Sequence, residues 1–142
     1  MELKVKLLTN TAQLPVKAHT ADLGYDIFAD EDVSLKSGEY KFVSTGISIH
    51  CPNGKYGFII KDRSSMAMKG LFTHAGAIDC GYTGEVKVLF HNVNTSMFRY
   101  DIKKGDKIAQ LIPTPVIGFE VKKVEKLHET HRGNKGFGST GK

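Results

Sequence analysis

The chain has 142 residues, of which 20 are Lys or Arg and 15 are Asp or Glu; this leaves a formal charge of +5, with 40% apolar and 25% charged side chains. These values exclude a wholly disordered chain and suit one domain, which at this length buries roughly 70% of its unfolded surface. No apolar run reaches the roughly 20 residues of a transmembrane helix, and the alternating N-terminus Met1-Glu2-Leu3-Lys4-Val5-Lys6 is neither a secretory signal nor a transit peptide.

The predicted elements are short strands separated by turn signals, with almost no helical period. Lys4 to Leu8 alternates, and Tyr25 to Phe28 is a compact run after Gly24. Tyr40 to Val43 leads into Gly46 to His50, where every second residue is apolar. The Pro52-Asn53-Gly54 turn then opens Tyr56 to Ile60 in the manner of a hairpin. A turn or two of helix is expected between Ser64 and Lys69. Further strands follow at Glu85 to Phe90, Lys107 to Ile112 and Phe119 to Val124. Strand starts every 8–12 residues or so mark a sandwich or barrel. The expectation is an all-β, single-domain fold over residues 1–130, with a glycine-rich arm over 131–142 that buries little and is mobile when empty.

Charge and cysteine usage narrow the partners. The pI near 9.2 favours an anion. The lysines are scattered, however, densest at Lys103-Lys104, Lys122-Lys123 and Lys126. No basic stripe with interleaved aromatics argues for nucleic acid, and no segment argues for a membrane. Cys51 and Cys80 form neither a disulfide framework nor a CxxC motif, which fits a reduced, cytoplasmic setting. His128 and His131 lack a clear third ligand for zinc.

Five segments concentrate chemistry, each with a bland alternative. In Ala21-Asp22-Leu23-Gly24-Tyr25-Asp26, the carboxylate of Asp26 could hold Mg²⁺ through water, or simply end a turn. In Lys61-Asp62-Arg63-Ser64-Ser65, a guanidinium beside two hydroxyls suits phosphate, unless Ser64 only caps the helical turn. Gly76-Ala77-Ile78-Asp79-Cys80-Gly81-Tyr82-Thr83-Gly84-Glu85 presents a carboxylate and an aromatic ring from a hairpin tip. There Asp79 could orient water as a general base and Tyr82 could lie against a sugar; the alternative is an Asx turn with Tyr82 packed beside it. Gln110, in the strand Lys107-Ile108-Ala109-Gln110-Leu111-Ile112, could donate to phosphate or be solvated. The tail Arg132-Gly133-Asn134-Lys135-Gly136-Phe137-Gly138-Ser139-Thr140-Gly141-Lys142 combines a charge, a ring, two hydroxyls and four glycines that permit close approach. Its GxxxxGK spelling is not a P-loop, because no strand–helix context surrounds it.

In this order, from residue 21 to 141, the segments resemble the trimeric deoxyuridine triphosphatase (dUTPase) family. GAIDCGYTGE, KGDKIAQLIP and RGNKGFGSTG carry most of the resemblance. The family's second motif usually reads Pro-Arg-Ser-Gly, so Asp62 and Ser65 are departures.

The resemblance implies a jelly-roll-like β-barrel or sandwich. It also implies hydrolysis of dUTP to dUMP and pyrophosphate with Mg²⁺, which keeps uracil out of DNA and supplies dUMP for thymidylate synthesis. Asp79 would be the base, and Tyr82 would lie under the deoxyribose, where a 2′-hydroxyl would collide. Gly76, Ile78 and their hairpin would read uracil, and Asp26 would hold the hydrated metal. Arg63, Ser64, Ser65 and Gln110 would grip the α- and β-phosphates, and Arg132, Gly138, Ser139 and Thr140 the γ-phosphate. Phe137 would be the lid over the base, with Phe98 or Phe90 as substitutes. Each site of a homotrimer would draw on three subunits. The rival readings are a dCTP deaminase-like enzyme and a nucleotide-gated regulatory binding protein of the same fold.

Overall fold

A computed structural model describes residues 2–95, 98–131 and 133–134. In it, β1 (Lys4–Leu7), β4 (Tyr40–His50), β8 (Glu85–Asn92) and β6 (Leu71–His74) form one sheet in the order β1-β4-β8-β6. A second sheet runs β2-β10-β5-β7, from β2 (Tyr25–Phe28), β10 (Lys107–Pro115), β5 (Tyr56–Asp62) and β7 (Ala77–Ile78). The short strands β3 (Val33–Leu35) and β9 (Tyr100–Ile102) pair separately. All these pairings are antiparallel.

Side-chain alternation explains the layering. Along β8, Val86, Val88, Phe90 and Asn92 are buried while Glu85, Lys87, Leu89 and His91 face the other way, as the two-residue period of a strand requires. Ile27, Leu35, Val43, Ile47, Leu71, Ile102, Ile108 and Leu111 complete one apolar core. The architecture is the expected all-β, jelly-roll-like one.

Asn92 is a fully buried polar residue beside that core, and it is satisfied. Its amide nitrogen donates to the carbonyls of Leu35 (3.1 Å) and Phe98 (3.3 Å), and its oxygen accepts from the Asn94 backbone (3.2 Å) and side chain (2.7 Å). Among the described residues no buried side-chain polar atom lacks a partner.

Three departures from the sequence reading have physical causes. First, Tyr40 to His50 is one strand instead of two. The interruption is absorbed by a register shift against β8 between Ser44 and Ser48, with Gly46 at φ +65°. Second, Phe119 to Val124 is not a strand. Phe119 and Val121 are 82% and 94% exposed, so the alternating pattern is present without a neighbouring strand to complete its ladder. Third, Phe90 is fully buried between the sheets and cannot serve as a lid. The strands β3, β7 and β9, of two or three residues, lay below the length at which alternation is legible, and β6 was also missed. No described helix is long and apolar enough to cross a membrane.

Asp30 lies against the Gly46 bulge, where a methyl group on Gly46 would stand 2.5 Å from its Oδ2. Burial pushes the Asp30 carboxyl up, but hydroxyl donation from Thr11 (2.6 Å) and Thr9 (2.5 Å) and the nearby Lys104 ammonium outweigh it. The group is held below the usual carboxylate range. A lowered folded-state pKa contributes stability above the unfolded value and loses it as pH falls through the folded value. Denaturant titrations of the native chain and Asp30→Asn should therefore diverge most near neutrality and converge once the pH is well below about 4. An equal difference at pH 7 and pH 2.5 would refute that role.

Candidate functional site

The glycine-rich segment does not form the expected hairpin: β7 pairs with β5 in one sheet while Glu85 opens β8 in the other, so Asp79 to Gly84 make a tight turn that carries the chain from one sheet to the other. Gly57 and Gly76 allow the approach of β7 to β5. A methyl group at Gly57 would stand 2.8 Å from the Ile78 carbonyl oxygen, and one at Gly76 would stand 2.5 Å from that of Ile60. The Gly76 carbonyl accepts the Ile60 N–H at 2.7 Å, and Phe58 and Ile59 pair with Ile78 and Ala77. Ala75, just before, sits at φ 50°, an uncommon left-handed conformation for a residue with a side chain.

Beyond β7 the Tyr82 N–H closes a turn onto the Asp79 carbonyl (3.0 Å). The Tyr82 ring folds over Gly84, where a methyl group would meet its hydroxyl oxygen at 2.5 Å, and that hydroxyl donates to the Glu85 carbonyl at 2.9 Å. The ring is thus locked while 44% of the residue stays exposed. Asp79 and Tyr82 open onto a cleft of about 770 Å³, which Phe42, Ala75, Ala77, Ile78, Glu85 and Lys87 also line. β7 lies at the edge of its sheet, and edge strands present backbone donors and acceptors to whatever docks there.

A second cluster forms elsewhere on the same sheet. In β2 and β10, Asp26 stands opposite Gln110, and Gln110 in turn faces Lys61 of β5. At the end of β5 the short helix α1 (Ser64–Ala67) begins. Arg63 occupies its N-cap position in an extended conformation, with no side-chain cap, so Ser64 and Ser65 enter the first turn with exposed side chains. The alternative in which Ser64 is the cap does not hold.

Arg63 donates from Nε to Asp26 Oδ1 (3.1 Å) and from Nη1 to the main-chain oxygen of Lys107 (3.0 Å). Its Nη1 also lies 3.5 Å from Ser65 Oγ. The Lys107 ammonium lies 3.0 Å from Asp26 Oδ2. Lys107 is absent from the sequence-based site. Its only signal there was a position three residues before Gln110.

Asp26 therefore has an ion-pair partner at each oxygen. As a metal position it offers no direct ligand set: among the described residues, no three His, Cys, Asp or Glu side chains gather. The cluster fits a hydrated cation carried by an anionic ligand, touching Asp26 through water at most.

Asp62, one of the two departures, also has a structural reason. Its Oδ1 accepts both the backbone N–H and the hydroxyl of Thr73 at 2.6 Å, tying the end of β5 to β6. No such reason is evident for Ser65 beyond its place beside Arg63.

The structure thus groups Asp79, Tyr82, Ile78 and Gly76 at β7 and its turn, and Asp26, Arg63, Ser65 and Gln110 around the other cluster, with Ser64 beside Arg63. It does not join the groups: none of the second set lines the cleft at that turn. Arg132, Phe137, Gly138, Ser139 and Thr140 lie outside the described residues. Phe98 is half exposed, beside Met68, Lys69, Asn94 and Tyr100 rather than at that turn.

Comparison with known proteins gives a consistent picture. The family model described as dUTPase matches residues 10–141. The deoxyuridine 5′-triphosphate nucleotidohydrolase of Clostridium kluyveri is 43% identical over 144 aligned positions, covering 99% of each chain. A mutant of the Staphylococcus bacteriophage 80alpha dUTPase, solved with dUpNHpp, superposes with a TM-score of 0.91 at 33% identity, covering 99% of this chain and 98% of that one. A mutant dUTPase from phage phi11 of S. aureus, described as revealing the coordination of a structural Mg(II) ion, has a TM-score of 0.82 at 29% identity. It covers 91% of this chain and 100% of its own.

The close approach at Gly76 carries a test of its own. Gly76→Ala must push β7 from β5 or bend the Ile60 peptide, and overpacking of this kind costs about 1–3 kcal/mol. Urea unfolding should show that loss, whereas Gly81→Ala, where a methyl group meets nothing within 4 Å, should be near neutral. Equal midpoints for the two variants would contradict the packing argument.

Proposed function

The chain belongs to the dUTPase family, its reaction is the hydrolysis of dUTP to dUMP and pyrophosphate, and we propose that the turn after β7 and the Asp26–Arg63 cluster divide that work between them. The observation that carries this reading is the exposed Asp79 carboxylate beside a locked tyrosine ring in one cleft.

In this reading uracil sits against the edge strand at Gly76 and Ile78, which reads its polar edge through backbone groups in a pocket too tight for thymine's methyl. The deoxyribose lies on the Tyr82 ring, whose fixed position leaves no room for a 2′-hydroxyl. Asp79 orients a water and takes its proton as the water oxygen attacks the α-phosphorus. The bond from that phosphorus to the bridging oxygen breaks, and pyrophosphate leaves. Little covalent machinery is needed, because positioning and charge neutralisation dominate phosphoryl chemistry. Arg63, Ser64, Ser65 and Gln110 hold the α- and β-phosphates. The tail residues Arg132, Gly138, Ser139 and Thr140 hold the γ-phosphate, with Phe137 as lid. Closure of such a tail would exclude bulk water.

Mg²⁺ bound to the phosphate oxygens would neutralise charge, with Asp26 contributing through water. The free cysteines suit a cytoplasmic setting.

The separation of the two clusters supports sites shared between the subunits of a homotrimer. So does the arm after β10: Ile117, Phe119, Val121 and Leu127 are all largely exposed, an apolar series that a partner subunit would cover.

Two measurements test the reading. Pyrophosphate release from dUTP should far exceed that from dTTP, dCTP or UTP, and Asp79→Asn should bind nucleotide yet turn over at least ~10²-fold more slowly. Near-full activity in Asp79→Asn would remove it from the role, and ammonia release from dCTP would favour the deaminase-like rival. Separately, mixing inactive Asp79→Asn with inactive Arg63→Ala after dissociation and reassembly should restore part of the activity, since some mixed sites receive both intact residues. Failure to recover activity in confirmed mixed oligomers would show that each chain builds its own site.

A further inference from the structure

The charge around Asp26 is layered in depth. The carboxylate is only 9% exposed, while the two cations bonded to it reach solvent, Arg63 at 27% and Lys107 at 39%. What the cluster turns outward is therefore positive, and its negative group lies beneath. The inventory is two cations against one anion, leaving a net positive face beside the Ser64 and Ser65 hydroxyls and the Gln110 amide.

Lys107 is built into this face. It enters β10 opposite Phe28 of β2, and its ammonium passes over the Phe28 ring at 6.0 Å from the centroid. Its nitrogen meets one oxygen of Asp26 while Arg63 Nε meets the other, and its carbonyl accepts from Arg63 Nη1. Main chain and side chain of one residue thus frame the arginine. A surface lysine free to rotate gains little from an ion pair, but one held by a buried carboxylate loses less entropy when it meets an anion.

We propose that Lys107 is a further phosphate-binding residue, positioned by Asp26 beside Arg63 so that both cations meet the triphosphate together. This rests on the dUTP-hydrolysing reading and deepens it. Asp26 acts as a positioning residue here: it keeps two like charges side by side that would otherwise repel, and the incoming phosphates supply further negative charge on the exposed side.

The experiment compares Lys107→Met, Lys107→Arg and the charge control Lys6→Met, which alters an exposed lysine on the other sheet. Three readouts are used: KM and kcat for dUTP, calorimetric affinity for inorganic tripolyphosphate, and calorimetric affinity for deoxyuridine, which lacks phosphate. A lost charge-assisted contact is worth about tenfold to a hundredfold in affinity. Lys107→Met should raise KM and weaken tripolyphosphate by that factor, with deoxyuridine affinity unchanged. Lys107→Arg should recover most of the loss, and Lys6→Met should match the native chain.

Unchanged tripolyphosphate affinity in Lys107→Met overturns the proposal. So does equal weakening of deoxyuridine, which would mean general damage to the fold. If the native chain leaves dUTP intact while Lys107→Met still weakens tripolyphosphate selectively, the hydrolase reading fails and the phosphate assignment stands.

Discussion

At Gly76 the chain passes so close to β5 that a methyl group would stand 2.5 Å from the Ile60 carbonyl oxygen, and at Gly57 the same crowding recurs against Ile78. This pair of backbone approaches sets the position of β7 and of the turn that follows it. With β7 seated on β5, the turn that follows delivers Asp79 to the rim of the cleft. Further along, Gly84 gives the Tyr82 ring the space to fold over the chain and bond Glu85. Each step uses the absence of a side chain rather than the presence of one. A turn held by side-chain packing would sample several rotamers, whereas one held by backbone contact has few alternatives.

The Asp26 cluster solves a different problem, that of storing positive charge next to a core. Arg63 and Lys107 would repel one another if brought together bare. A buried carboxylate between them makes the arrangement stable without spending the cations' outward faces. The same geometry explains why Asp26 offers no direct ligand set for a metal: its oxygens point to nitrogens that are already positive. Within this view, motif spacing along the chain matters less than sheet register. Asp26, Gln110 and Lys61 lie in line across three strands, and Lys107 belongs to the cluster because β10 carries it there.

Much of this was legible in the sequence, for reasons that can be stated residue by residue. Strands long enough to show alternation, such as Glu85 to Phe90, were readable because one face must be buried. Strands of two or three residues, such as β7 and β3, had no period to read. The Phe119 to Val124 pattern misled because alternation reports a demand for burial, not the strand that meets it. In the described chain the arm's apolar side chains remain exposed. Phe90 misled in the opposite direction: its aromatic type suited a lid, but its place on the inward face of β8 put it in the core. Asp62 looked like a flaw in a motif until Thr73 appeared as its partner, an interaction across eleven residues that no local pattern encodes. The convergence of Arg63 and Lys107 on Asp26 was invisible for the same reason, since it spans three separate strands and loops.

The remaining question is why one chain should carry two half-sites that do not meet. The β7 edge and the cationic cluster sit on one sheet whose packed core resists bending. In the proposed homotrimer a rigid edge on one subunit would face a rigid charged surface on the next without either deforming. The arrangement also separates two demands that conflict inside one chain. Base and sugar recognition needs close backbone approach and little freedom. Phosphate binding needs concentrated charge, which is destabilising unless an anion or water is always present. In the proposed shared site, dividing them would let each subunit fold with its charges satisfied, Asp26 against Arg63 and Lys107, and bring them to bear only across an interface where the triphosphate takes up the excess.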